Sequence, residues 1–522
     1  MSPPREIELK FEVPESDLPR LTACSLLKGA SDSAAKPVSL VSVYFDTDEL
    51  KLHQKGLSLR VRRIGRRHVQ TIKQENPGNA ALFARGEWEH DVATKQPDLD
   101  AARDTALAPL LNNKLRRALK PVFETRVHRK VFQIRRGQSD IEISIDKGKI
   151  EAGRKSSPLC EVELELKQGQ AADLFKLAKI LAHEVPVQVA VKSKADRGYA
   201  LLTAEKAAPV KAVPVSIAPE SDVQHAFQII ARACLHQLVA NQSLMLAGDE
   251  EALHQMRVAL RRLRAAISLF SEMLSDPQTE ALKSEFKWIT GELGPAREFE
   301  IFLKCVAKPV VDLGRDEPGM TLVSREFRQK CEDALARARA AVESLRFRDL
   351  AIDTAAWIET GDWTRNPNDA VGKLREHPFA AVAAEQLCRL WKKLLKSGKC
   401  LDALDPQHRH RLRIQAKKLR YAAEFFAPAF ARKKSILRRK DFVTSLQQLQ
   451  DALGELNDIA VNEKLLKQLG DCEDAGAKRH GGRSRKAFLG HLSGREKVRR
   501  APLLKEAERA YAAFAKAKPF WV

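Results

Sequence analysis

Glu6-Ile7-Glu8-Leu9-Lys10-Phe11 and Glu161-Val162-Glu163-Leu164-Glu165-Leu166 are the two stretches whose reading decides the fold. Successive side chains of an extended strand point to opposite faces. Glu6, Glu8 and Lys10 therefore share one face and Ile7, Leu9 and Phe11 the other, and the second stretch separates three glutamates from three apolar residues in the same way. The pattern continues between them. Arg60 and Arg62 alternate with Leu59 and Val61, Thr71 and Lys73 flank Ile72, and Glu87 and Glu89 flank Trp88. Glu142, Ser144 and Asp146 alternate with Ile141, Ile143 and Ile145, and Lys192 and Lys194 close the series. Period-two alternation of this kind runs to about residue 205, with helical stretches only near 104–119 and 171–183. Antiparallel hairpins are the natural connection, so this part reads as an all-β sheet or barrel.

One charged stripe on one strand usually means a face turned to water. Here carboxylates gather on some strands and cations on others, whereas ordinary surfaces intersperse the two signs. If helices cover the apolar faces, the charged faces point inward and line a lumen. A lumen wide enough for a ligand needs about eight strands, and its charges are costly unless they are compensated. Hard divalent cations such as Mg²⁺ or Mn²⁺ satisfy carboxylates together with phosphate oxygens. Arg and Lys satisfy the remaining phosphate charge. A condensed phosphate with a metal meets both needs.

These segments, with Tyr44-Phe45-Asp46-Thr47 and Lys192-Ser193-Lys194, resemble in order and spacing the CYTH, or triphosphate tunnel metalloenzyme, superfamily over about 200 residues. The resemblance implies an eight-stranded antiparallel tunnel that binds a triphosphate and a divalent metal, Mg²⁺ or Mn²⁺. By the same resemblance Glu6, Glu8, Glu163 and Glu165 hold metal, with Asp146 and Glu161 contributing. Arg60, Arg62, Lys73, Arg126, Lys192 and Lys194 grip the phosphate chain, with Lys10 and Arg197 nearby. On the strand of Arg126, Arg129 and Lys130 are alternatives. Glu8 is the candidate proton acceptor and Lys10 the candidate assistant of the leaving group, in a phosphoryl transfer driven by positioning and charge neutralisation.

Residues 206–220 (KAAPVKAVPVSIAPE) are rich in Ala and Pro and read as a linker between a first region, 1–205, and a second, 221–515. Beyond the linker the apolar period is helical, and the sequence repeats itself. His254-x-x-Arg257-x-x-x-Arg261-Arg262-Leu263-Arg264 realigns with His410-x-x-Arg413-x-x-x-Lys417-Lys418-Leu419-Arg420. Leu293-Gly294 likewise pairs with Leu453-Gly454. Two copies, about 221–370 and 371–515, each predict an antiparallel bundle of about four helices. On their helices His254, Arg257, Arg261 and Arg264 fall in one arc, as do His410, Arg413, Lys417 and Arg420, and neither segment contains an acid. Two such faces related by pseudo-symmetry predict a basic channel for an extended polyanion. The repeat resembles the CHAD domain, which implies polyphosphate binding by both basic segments, Arg262 and Lys418 included.

The whole chain bears these readings out in charge and narrows the partners. Its 522 residues carry 90 basic and 68 acidic groups, a formal charge of +22, and suggest two to four domains. Positions 1–207 hold 36 basic against 28 acidic residues and the rest 54 against 40, so both halves seek anions. Aromatic residues are only 6%, which supplies few base-stacking platforms and disfavours nucleic acid. Eight scattered cysteines without a Cys-x-x-Cys pair argue against a zinc module or a disulfide framework. No run of about 18 apolar residues calls for a membrane span, and the first residues lack a signal-peptide core. The expectation is a cytoplasmic inorganic triphosphatase, associated with polyphosphate granules, that cleaves tripolyphosphate to pyrophosphate and phosphate. Its rivals are thiamine triphosphatase or adenylate cyclase in the same tunnel, and a polyphosphate-binding protein without catalysis.

Overall fold

The computed structural model describes residues 5–28, 37–74, 85–218, 220–302, 318–471 and 481–522. The first region is built on one antiparallel sheet. Its strands are β1 (Arg5–Glu12), β2 (Val38–Asp46), β3 (Leu57–Ile64), β4 (Arg67–Gln74), β5 (Arg85–Val92), β6 (Lys120–Arg136), β7 (Ser139–Ala152), β8 (Lys155–Gln168) and β9 (Gln188–Val189). They lie in the order β5-β4-β3-β2-β6-β7-β8-β1-β9. The two longest helices of this region are α1 (Ala171–Glu184) and α2 (Lys194–Thr203).

The expected eight-stranded tunnel is a nine-stranded sheet that is not closed. The reason lies in β1. One of its edges pairs with β8 from Ile7 to Glu12. The other gives two residues to β5 (Arg5↔Gly86, Glu6↔Arg85) and two to β9 (Phe11↔Val189, Glu12↔Gln188). Among the described residues the sheet ends therefore touch only at this corner.

The faces sort as the alternation requires. Leu9, Phe11, Ile141, Ile143, Val162 and Leu164 are at most 2% exposed, and they pack outward against Leu174, Leu177, Ala178 and Leu181 of α1. Burying each such side chain contributes about 1.5–3 kcal/mol, enough in sum to hold a charged interior. On the other flank Phe45, Leu59, Val61 and Ile72 are covered by Leu99, Ala102, Leu107 and Leu115. Where the sequence predicts a helix over 104–119, only Asn113–Ala118 is α-helical, and much of the cover is turns.

Residues 204–218 contain no helix or strand. The helical region that follows has nine main helices among the described residues: α3 (Val223–Ala240), α4 (Glu250–Leu269), α5 (Pro277–Phe302), α6 (Pro318–Glu343), α7 (Leu345–Thr360), α8 (Phe379–Ser397), α9 (Pro406–Phe425), α10 (Lys433–Asp471) and α11 (Gly481–Lys516). The duplication is visible in its details. α4 and α9 are both 20 residues long, and aspartates cap both: Ala252 N donates to Asp249 Oδ1 (2.8 Å) and His408 N to Asp405 Oδ1 (2.9 Å). The residues preceding α3 and α8, Asp222 and Pro378, meet in an isolated β-bridge. Phe270 and Phe426, at the ends of α4 and α9, pack edge to face at 5.9 Å. The sheet and the helices share one apolar core. Polar ties also join them, since Lys179 pairs with Asp353 at 2.9 Å and Arg348 donates to the carbonyls of Ala182 and Val185. No described helix is long and apolar enough to cross a membrane.

Candidate functional site

The inward face of the sheet encloses a cavity of about 650 Å³. Strand register builds its walls in rows. Arg129 lies opposite Asp146 and Asp146 opposite Glu161; Ser144 lies opposite Glu163 and Glu163 opposite Lys10. Glu165 faces both Glu142 and Glu8. The opposite wall is cationic: Tyr44 pairs with Arg60 and Arg60 with Thr71, while Ser58 pairs with Lys73 and Lys73 with Glu87.

At the base Asp146, Glu161 and Glu163 bring one carboxylate oxygen each within 4.8 Å of one another. Buried cations hold them. Lys194 Nζ lies 2.9 Å from Asp146 Oδ2 and 2.9 Å from Glu163 Oε1, and it also bonds Glu161. Arg129 Nη2 reaches Asp146 and Glu163 at 2.6 Å each, and Lys10 Nζ lies 2.8 Å from Glu163. Burial alone would raise the Glu163 carboxyl, but Lys10, Lys194 and Arg129 outweigh it and hold the group well below its usual range. Asp146 is lowered by Lys194 and Arg129 against the effect of burial, whereas burial wins at Glu161 and raises it. Glu161 Oε2 is buried without a hydrogen-bond partner, with Arg197 Nη1 at 3.9 Å. Three clustered carboxylates, one of which has an unsatisfied oxygen, form a hard donor set suited to a divalent cation.

On the cationic wall Lys73 pairs with Glu87 at 2.6 Å, and Arg60 Nη2 stands 3.7 Å from Glu87 and 3.9 Å from Glu89. Among the described residues Arg62 has a hydrogen bond to Ser42 Oγ alone, at 3.2 Å. Burial, then the charges of Arg60 and Arg129, push the Arg62 guanidinium down to about 10. A guanidinium so placed gains most from an incoming anion.

One end of the cavity is sealed by α2. Its start is fixed by a reciprocal cap, in which Asp196 N donates to Ser193 Oγ (3.0 Å) and Ser193 N to Asp196 Oδ2 (2.8 Å). That cap sets Lys194 over the carboxylates. Further along, Tyr199 and Ala195 pack with Tyr44, Phe123 and Val127 in an apolar plug. Tyr199 Oη donates to Asp46 Oδ2 at 2.9 Å, and Asp46, fully buried, also accepts from the backbone N–H groups of Thr47, Leu52 and His53 at 2.7, 2.9 and 3.0 Å.

The helical repeat builds a second cationic place between α4 and α9. Arg257 lies beside Gly294, where a Cβ would stand 3.2 Å from its Nη1, and Arg413 lies beside Gly454, at 3.8 Å from its Nε. A side chain at Gly294 would crowd Arg257, whereas Gly454 stands at ordinary contact distance from Arg413. Arg257 Nε and Nη1, Arg261 Nε and Arg413 Nε are buried without hydrogen-bond partners. Burial and Arg261 push Arg257 down to about 10. Burial, then Arg413, Arg261 and Arg420, push Lys417 down to about 7. Glu298 and Asp458, at equivalent places in the two copies, oppose these shifts.

Comparison with known proteins agrees with both halves. Residues 4–199 match the CYTH domain family and residues 229–467 the CHAD domain family. The chain joins a CYTH domain to a CHAD domain. Over 162 residues it is 31% identical to an inorganic triphosphatase from Haemophilus influenzae, which is 31% of this chain and 46% of that protein. The chain thus spans about half the length of the curated relative it matches. The crystal structure of the CHAD domain from the plant Ricinus communis is 25% identical, with a TM-score of 0.50, over 60% of this chain and 98% of that one.

Of the residues expected in the CYTH tunnel, Glu8, Lys10, Arg60, Arg62, Lys73, Glu163, Glu165 and Lys194 line the cavity, and Asp146 and Glu161 lie at its base. The side chain of Glu6 is outside the described residues. Arg126 does not join them. It is exposed on the outer face, paired with Glu124 and Glu151, because Phe123, Thr125, Val127 and Arg129 share the inward parity of β6. Arg129 takes the place instead, and its parity with Thr125 was the available signal. Lys192 and Arg197 line a different cavity, because the chain from 190 to 193 is not paired strand and α2 turns Arg197 away. In the CHAD region Arg257, Arg261, Arg413, Lys417 and Arg420 cluster, and His254 borders Arg261 and Arg297. His410 Nδ1 donates to Asn457 Oδ1 at 2.6 Å, and Arg264 is exposed. Arg262 turns inward to pair with Glu424 and lies 4.8 Å over the Phe425 ring, and Lys418 binds Ser268 Oγ at 2.6 Å. Both stand about 100° around the helix from the groove arc.

Proposed function

We propose that the CYTH tunnel hydrolyses inorganic triphosphate to pyrophosphate and phosphate with Mg²⁺ or Mn²⁺, and that the CHAD groove holds long polyphosphate. The observation that carries the reading is the opposition of two walls in one cavity. Arg60, Arg62 and Lys73 line it together with Glu8, Glu163 and Glu165, and Asp146 and Glu161 stand beside Glu163. A pure anion binder gains nothing from the carboxylates, and a pure metal site gains nothing from the cations. The match to the CYTH family and the likeness to an inorganic triphosphatase support the same reading.

Asp146, Glu161 and Glu163 would hold the metal, and Glu8 and Glu165 stand near enough in register to assist. When bound, the ion neutralises phosphate charge and polarises the reacting phosphoryl group. Arg62, Arg60 and Lys73 orient the chain and balance charge developing on its equatorial oxygens. Glu8, buried in the cavity, accepts the proton of the attacking water, and Lys10, 3.8 Å from Glu8, stands by the leaving oxygen. In the CHAD groove the unpartnered guanidinium nitrogens of Arg257, Arg261 and Arg413 are met by phosphate oxygens.

The test is phosphate release from tripolyphosphate, thiamine triphosphate and ATP with each metal. Tripolyphosphate turnover lost in Arg62→Ala is expected; cyclic AMP from ATP with tripolyphosphate untouched overturns the tunnel reading. For the groove, changing Arg257, Arg261, Arg413 and Lys417 to Glu should abolish polyphosphate retention and leave tripolyphosphate hydrolysis intact. Undiminished retention, or equal competition by duplex DNA, overturns that part.

A further inference from the structure

Lys192 and Arg197 are phosphate-type cations that the tunnel does not use. Both line a second cavity of about 1090 Å³ between the sheet, α2, the irregular segment after it and α3. Lys155, Lys206 and Lys211 share its rim. Its acids are Glu12, Asp196 and Glu205, and Asp196 is committed to the cap of α2 through Ser193. Among the described residues Lys192, Lys206 and Lys211 have no carboxylate in salt-bridge reach, so the rim is left net cationic. The floor is different in kind, formed by Leu201, Val210, Val239 and Leu244, with the exposed Val213 at its edge. His236 faces the same space, and burial pushes it down despite Asp196, which makes it a neutral donor or acceptor. His53 brings an aromatic ring to the wall, stacked at 4.0 Å on Tyr199.

Apolar walls with a few convergent charges are the usual make-up of a small-molecule site. A bare phosphate would leave most of this space and all of its apolar floor unused. We infer that the cavity between the sheet and the helices binds a small organic phosphate, with its phosphate on Lys192 and Arg197 and its apolar or aromatic body against the floor beside His53. The placement gives the ligand a handle on the tunnel. Arg197 Nη1 stands 3.8 Å from Glu12 and 3.9 Å from Glu161, a member of the carboxylate cluster, so a phosphate competing for this guanidinium alters the field on that cluster. Nothing in the inference depends on which reaction the tunnel runs.

The test is equilibrium binding of ADP, a probe with an aromatic body and a phosphate end, to the full chain with chelator present. Lys192 and Lys211 are exposed, so the double variant Lys192→Glu/Lys211→Glu keeps its fold. It should weaken ADP binding about tenfold or more, as expected for losing charge-assisted contacts. Arg62→Ala, in the tunnel, should leave ADP binding unchanged, and orthophosphate should compete far more weakly than ADP. Equal ADP binding by the double variant and the natural chain overturns the site. Loss of ADP binding in Arg62→Ala places the ligand in the tunnel and also overturns it. Orthophosphate competing as well as ADP overturns the organic body.

Discussion

Tyr199→Phe isolates one hydrogen bond of the plug that closes the tunnel. The ring keeps its stack on His53 at 4.0 Å and its edge contact with Phe123 at 5.0 Å, so packing is conserved. What is lost is the 2.9 Å hydrogen bond to Asp46 Oδ2. Asp46 is fully buried with no ion pair among the described residues, so it relies on hydrogen bonds alone, and three backbone donors remain. A hydrogen bond to a charged group contributes about 1.5–3 kcal/mol, and its loss leaves a buried oxygen undersatisfied. If opening of α2 releases Tyr199, the opening equilibrium shifts by that amount, about 10- to 150-fold. Hydrogen exchange read by mass spectrometry on peptides spanning 198–203 should accelerate by this factor, while peptides of α9 stay unchanged. Acceleration of less than about twofold refutes the idea that this bond seats the helix.

Three further outcomes follow from other parts of the molecule. Gly198→Ala places a Cβ 2.1 Å from Phe123 Cε2, and such overpacking costs about 1–3 kcal/mol or more, so a thermal scan should show a lowered Tm and tripolyphosphate turnover should fall as Lys194 shifts. An unchanged Tm would mean that Phe123 yields freely. Lys417 sits at about 7 in the folded protein against an ordinary 10.5, so the anion-free fold gains stability as pH rises through that window, where only the unfolded chain holds the proton. A bound polyanion favours the protonated amine, so polyphosphate affinity should fall as pH rises through about 7, and Lys417→Arg should flatten the profile; a flat profile in the natural chain refutes this. Arg262→Leu should cost about 1–3 kcal/mol in urea unfolding, because Glu424 loses one partner and keeps Arg420 at 2.7 Å, with polyphosphate affinity unchanged. Lost affinity at undiminished stability would put Arg262 back in the groove.

The inward charge of the sheet was legible because period two couples every apolar residue to a charged neighbour. Once Ile141, Ile143 and Ile145 are covered, Glu142, Ser144 and Asp146 are assigned to the other face. Strand parity carried the same information for β6, where Arg129 and not Arg126 lies with Thr125, but two adjacent cations masked it. The helical arc likewise held the answer for Arg262, which stands three residues from Ala259 and four from Ala266, both buried. The division of one edge of β1 between β5 and β9 was not legible, since it depends on two partners far apart in the sequence. The Asp46–Tyr199 bond spans 153 residues, and no local pattern announces it.

The apolar packing of Tyr199 and Ala195 fills the inner face of the CYTH sheet at its α2 end. For the phosphate chain proposed as ligand, that packing bars threading along the sheet axis, so a terminus, and not the interior of a long polymer, would reach Arg62 and Glu163. A site of that shape would count ends of chains, not lengths.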